Sequence, residues 1–264
     1  MKSFRSLIAT ALFAVAASSE ATIIAYDGFS YSGELNSQNG GTGWGGAWSA
    51  ITTATQIVDP GVNLIDNSAL QINGNDTNVA TRSLASSFSG NQIFVDFYLQ
   101  VDSGNLTGND FLAFWFTSSS GPNFGIKADE GSTFTNDVFG RLSGGSGPYV
   151  PNSDIGSTNG ITHHIVALLS KDLSSTTFNR LNVWLNPVFS DLATPDLTTP
   201  IFDTGLTSFN KIGFRSANLD SGDVILIDNL RLSTTWNDVM NIPEPATLAL
   251  LGIGFAGIGL RYRK

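Results

Sequence analysis

The strongest constraint on how this chain folds is a series of short apolar stretches, about ten residues apart, that alternate with period two and show no 3.6-residue helical period. In residues 91–101, Ile93, Val95, Phe97, Leu99 and Val101 fall on one side, with Phe94, Asp96, Tyr98 and Gln100 on the other. Successive strand side chains point to opposite faces, so this stretch reads as a strand with one face on a core. Residues 111–116 have no polar position, as expected of a central strand covered on both faces. Residues 162–169 and 180–187 read as two arms of a hairpin. Shorter strands are expected at 23–29, 123–128, 138–142, 211–215 and 224–232. Residues 64–72 and 78–88 are expected to pair with each other through the turn Asn73-Gly74-Asn75-Asp76, and 188–200, which holds Pro195 and Pro200, reads as an excursion. The expected class is all-β, an antiparallel β-sandwich.

The 264 residues include no cysteine, so no disulfide joins the strands and the core must hold the fold by itself. Eighteen phenylalanines and five tryptophans supply that core and place the chain outside the disordered class.

Both ends depart from this pattern. Lys2 and Arg5 precede an apolar run from Leu7 to Ala17, and Ser19 and Ala21 put small residues where a signal peptidase inspects the chain. This predicts an N-terminal signal helix over residues 1–21, cleaved after Ala21, with Ala17 as the second choice. At the other end, Pro243-Glu244-Pro245 cannot lie inside a helix, because each proline lacks an amide donor and biases its predecessor toward extended geometry. Residues 246–260 are uncharged, contain four glycines, and run into Arg261, Arg263 and Lys264. As a helix they reach ~22 Å, short of the ~30 Å hydrocarbon core, which suits a temporary hold in a membrane. The basic cluster favours the cytoplasmic side and leaves Pro-Glu-Pro outside. The expected division is a signal peptide at 1–21, a β-sandwich domain at 22–240, and a C-terminal segment with a short hydrophobic helix at 241–264.

Pro243, Glu244 and Pro245, the Gly-rich apolar span, and Arg261, Arg263 and Lys264 together resemble the PEP-CTERM sorting signal of Gram-negative bacteria. The resemblance implies an exported protein, processed by an exosortase at the inner membrane and delivered to the cell surface or extracellular matrix of an exopolysaccharide-producing cell. Three further stretches resemble a concanavalin A-like, laminin-G-like jelly roll: Tyr26-Asp27-Gly28-Phe29 with Gly43-Trp44 and Trp48, the hairpin arm Val183-Trp184-Leu185-Asn186-Pro187, and residues 227–236.

Between the two end segments, eight basic side chains face twenty acidic ones, a net charge near −12. Such a surface argues against nucleic acid or anionic lipid as a partner.

Chemistry is sparse. A retaining glycosidase of the jelly-roll class needs paired carboxylates about 5 Å apart. The only glutamates of the middle region, Glu34 and Glu130, lie outside alternating strands and have no second glutamate nearby. His163 and His164 are adjacent, so a regular strand sends them to opposite faces and they cannot chelate one metal together. Trp44 and Trp48, set among five glycines, either fill a rim of the sandwich or stack on sugar. Calcium takes oxygen ligands from loops, which makes Asn218, Asp220, Asp223 and Asp228 one candidate cluster and Asn73, Asn75 and Asp76 another, each against ordinary turn chemistry. The expectation is a non-enzymatic surface or matrix protein with no cofactor that associates with exopolysaccharide or other glycans. A glycan-active hydrolase of the same fold and a purely structural matrix protein are the alternatives.

Overall fold

The computed structural model describes residues 23–240, apart from 60–63, 65–67, 131–135, 144–146, 157–158, 173 and the side chains of 129, 130 and 136. The expected signal helix, the cleavage points Ala21 and Ala17, and the C-terminal segment with Pro243, Glu244, Pro245, Arg261, Arg263 and Lys264 lie outside the described residues.

In chain order the strands are β1 (Ile23–Asp27), β2 (Ser49–Ala50), β3 (Thr55–Val58), β4 (Ala69–Ile72), β5 (Asp76–Phe88), β6 (Gln92–Ser103) and β7 (Phe111–Phe116). There follow β8 (Asn123–Glu130), β9 (Asn136–Arg141), β10 (Thr162–Ser170), β11 (Arg180–Leu185), β12 (Leu197–Thr198), β13 (Phe209–Ala217) and β14 (Val224–Ser233). They form two antiparallel sheets. The larger runs β12-β11-β10-β6-β14-β4-β3, with β1 also on β14, and the smaller runs β2-β5-β13-β7-β8-β9. The protein is the expected all-β sandwich.

The inward faces are those that period-two alternation selects. Ile93, Val95, Phe97, Leu99 and Val101 of β6 share one core with Leu112, Phe114 and Phe116 of β7. Phe97 is the hub of this core. Its ring lies 5.6 Å from Phe124, 5.9 Å from Phe214 and 6.3 Å from Phe114, all three on the opposite sheet. Burying each such side chain is worth about 1.5–3 kcal/mol, which is what joins two layers that share no hydrogen bonds at this point.

The expected pairing of residues 64–72 with 78–88 is wrong. Strand β4 pairs with β3 and β14 in the larger sheet, whereas β5 pairs with β2 and β13 in the smaller one. The residues between them carry the chain from one layer to the other. Asn75 holds that crossing: its amide donates to Leu219 O at 3.1 Å and accepts from Leu219 N at 2.9 Å. A turn sequence specifies that the chain bends, and the partner is set by which layer can bury the next strand.

Strand β14 serves two neighbours along one edge, β4 at Ile225–Ile227 and β1 at Leu230–Ser233. Between them Asn229 adopts a positive φ of 52° at an irregularity in the pairing with β6. Asparagine reaches this left-handed region more readily than most residues. The outer face of the larger sheet is capped by a short helix, α1 (Trp236–Val239), whose Trp236 and Val239 pack on Phe94, Val166 and Trp184. This is why Phe94, on the polar side of the alternation, is buried.

Candidate functional site

Trp44 and Trp48 belong to a buried polar centre at one edge of the sandwich. Asp27 ends β1 and points between the sheets, where its Oδ2 accepts from Arg82 Nη1 at 2.5 Å, Trp48 Nε1 at 2.7 Å and Tyr31 Oη at 2.8 Å. Its Oδ1 accepts from Phe29 N at 2.8 Å. Arg82 also donates to Gly46 O and Gly40 O, and its guanidinium lies 4.8 Å from the Trp44 ring and 5.5 Å from the Trp48 ring. Burial, with the Asp27 charge beside it, pushes the Tyr31 phenol up to about 12. The glycines let loop backbone close over β1: a Cβ on Gly43 would stand 1.9 Å from Ile24 O. Trp48 is 2% exposed and its indole N–H is already used, so it presents no face to a sugar. Trp44 is half-buried, with its N–H on Tyr26 O at 2.9 Å.

The oxygen-rich candidates do not converge. Asp223 closes a turn by accepting from Asp220 N at 2.6 Å, while Asn218 donates to Asn109 O at 3.0 Å. Asp228 is fully buried further along β14, four residues or about 13 Å of strand beyond Val224. In the second group, Asp76 accepts from Asn78 N and Asn75 is committed to Leu219, as turn chemistry requires. Among the described residues no group of three or more His, Asp or Glu side chains is placed to hold a metal ion.

His163 and His164 diverge, as adjacent strand residues must. His164 Nε2 lies 3.0 Å from Asp96 Oδ2 and its ring stacks on Tyr98 at 4.5 Å, on the outer face of the larger sheet. Asp96 is clasped by both Nε and Nη2 of Arg231 at 3.1 Å. Burial and the Asp96 charge raise the Tyr98 pKa. His163 Nδ1 lies 3.2 Å from Asn186 Nδ2, and burial lowers its pKa. Glu34 is exposed in the loop after β1, and Glu130 ends β8 with its side chain among those not described.

The feature that sequence reasoning missed is a groove of about 310 Å³ on the outer face of the smaller sheet, lined by Asn109, Phe111, Lys127, Arg141, Arg215, Ala217 and Asn218. Register explains it. Across the strands Ala217, Phe111 and Lys127 form one rank, Arg215, Ala113, Gly125 and Phe139 the next, and Gly213, Trp115, Asn123 and Arg141 the third. Lys127, Phe111 and Ala217 of the first rank, Arg215 of the second and Arg141 of the third line the groove, while Ala113 is buried with Phe111 and Phe139. Phe111 and Phe139 stack at 5.2 Å, and guanidinium groups cover them: Arg215 and Arg141 each lie 5.3 Å from the Phe111 ring, and Arg141 lies 5.2 Å from Phe139. This is how apolar positions on an outer face are kept from water. Arg141 Nε donates to Asn123 Oδ1 at 2.8 Å, while Arg215 Nε is buried without a hydrogen-bond partner among the described residues. Burial, together with the neighbouring Arg215 charge, lowers the Arg141 pKa. The three cations are 14 and 74 residues apart in sequence. The available signal was that each occupies an outward position of an expected strand in an otherwise acidic chain.

No curated protein matches the chain in sequence. Among solved structures, it is similar to domain 4 of an extracellular arabinanase from Geobacillus stearothermophilus, in complex with arabinotriose, at 15% identity and a TM-score of 0.50, over 84% of this chain and 98% of that one. A β-1,3-glucanase from Mycobacterium marinum matches at 11% identity and a TM-score of 0.47, over 81% and 99% of the two chains. An alginate lyase matches at 15% identity and 0.47, over 79% and 95%. At such identity the first is a likeness of fold, a jelly-roll β-sandwich, and the other two carry no argument. Residues 241–264 match the PEP-CTERM protein-sorting motif, so the chain carries the signal by which an exosortase sorts an exported protein to the cell surface.

Proposed function

We propose that this is a non-enzymatic cell-surface or extracellular-matrix protein that binds exopolysaccharide or another surface glycan through the groove on the smaller sheet. Signal peptidase and exosortase act on its two ends at the inner membrane of a Gram-negative bacterium, and no cofactor takes part. The observation that carries the reading is the groove itself, an open polar and aromatic depression on a protein with a surface-sorting signal. A binding role is supported by the described residues that line the groove, which supply cationic, amide and aromatic side chains that can hold a sugar. The fold is compatible with either role and does not decide between them.

The test is binding of the full chain, in detergent, to a panel of neutral and acidic glycans that includes the polymer made by the producing cell. Saturable binding without release of reducing ends over hours is expected. No binding to any glycan would sink the reading, and steady release of oligosaccharides would convert the protein into an enzyme.

A further inference from the structure

The groove is the chemical opposite of the protein around it. The region between the end segments carries a net charge near −12, yet three of its eight basic side chains line this one depression. Three cations gathered on a single face are placed to attract an anion.

Two details point to what that anion is attached to. Arg215 lines the groove with its guanidinium 5.3 Å from the Phe111 ring, and its Nε is buried without a hydrogen-bond partner among the described residues. Arg141 also lines a second hollow of about 200 Å³, together with Pro148, Thr199, Ile201 and Phe202. Ile201 and Phe202 are 56% and 51% exposed. A cationic hollow that shares Arg141 with an apolar shelf fits a chain of sugars, one residue presenting its charge to the arginines and the next laying its C–H face on Phe202.

We propose that the groove selects an anionic polysaccharide, with the carboxylate or sulfate of one sugar held between Arg215 and Arg141, Lys127 adding charge, and the neighbouring sugar on Ile201 and Phe202. The proposal rests on the glycan-binding reading above and adds the class of glycan. Burial first and the Arg215 charge second lower the Arg141 pKa, and an anion bridging the two guanidinium groups would relieve the second of these.

Titration calorimetry of the full chain with a hexuronate tetramer, a sulfated tetrasaccharide, a neutral glucan tetramer and inorganic sulfate provides the test. At 50 mM salt at least one acidic oligosaccharide should bind at least tenfold tighter than the neutral one, and the advantage should shrink at 500 mM as screening grows. Arg215→Gln should weaken acidic binding at least tenfold and neutral binding by a clearly smaller factor, with Arg215→Lys in between because a lysine lacks the planar fork. Unchanged thermal melting checks that the variant folds, and Arg141→Gln serves if it does not. Equal affinity for acidic and neutral sugars, or acidic binding untouched in both variants, would overturn the proposal while leaving the glycan reading in place. Inorganic sulfate binding as tightly as the oligosaccharides would overturn the polymer. Failure of every glycan would remove both readings.

Discussion

Asp27 of the larger sheet and Arg82 of the smaller one meet at 2.5 Å, each side chain 1% exposed, so one buried ion pair links the two layers across 55 residues of sequence. Charges survive in such a place only when every atom is engaged, and here they are: Trp48, Tyr31 and Phe29 complete the carboxylate, and Gly46, Gly40 and Asn39 the guanidinium. Removing one partner strands the other.

Arg82→Met should therefore lower stability by about 3–5 kcal/mol in denaturant unfolding. Trp48→Phe, which keeps most of the ring and loses one donor to a charged acceptor, should cost about 1.5–3 kcal/mol. In the double variant Arg82→Met with Asp27→Asn the loss should fall short of the sum of the two single losses, because neither charge is left alone. Strict additivity would show that the pair is not coupled.

The glycine loop offers a paired comparison. Gly43 has φ of +80°, and a Cβ there would collide with Ile24 O, whereas a Cβ on Gly46 meets nothing within 4 Å. Gly43→Ala should cost at least about 1–3 kcal/mol from backbone strain alone. Gly46→Ala should be neutral or slightly stabilising through the unfolded chain. The reverse order in melting temperature would refute the assigned loop.

Acid should act through His163. Burial disfavours its charged form, so its folded pKa lies below the unfolded value of about 6.5 and the unfolded chain binds the proton more readily. Its contribution is fully present above that value and is lost as pH falls toward the folded pKa. Between pH 7 and pH 5 the wild-type melting temperature should fall further than that of His163→Gln. Parallel curves would exclude this group as the cause.

Sorting has its own readout. In a host with an exosortase, Glu244→Ala, or removal of residues 261–264, should leave a heavier form retained in the membrane fraction. Intact mass and cell fractionation follow it, and a variant with wild-type mass and location would refute the assignment of the motif as the processing signal.

Much was legible from local pattern. Strand faces follow from alternation because a strand's side-chain period is a property of its own backbone, and Ile93 to Val101 lie inward as that period requires. The sorting motif was readable for the same reason, since proline, an uncharged span and basic residues act in linear order. The sequence by itself thus determined the long strands, the core-facing positions of their alternation and the presence of the sorting signal. Tertiary structure alone decided which strands share a sheet, parting β4 from β5 although only three residues separate them. It also turned Trp48 inward onto Asp27, folded α1 over Phe94, and brought Lys127, Arg141 and Arg215 to one groove. Each of these depends on partners far away in sequence. Such partners are chosen by the burial of whole faces and the pairing of buried charge, and a local period carries neither.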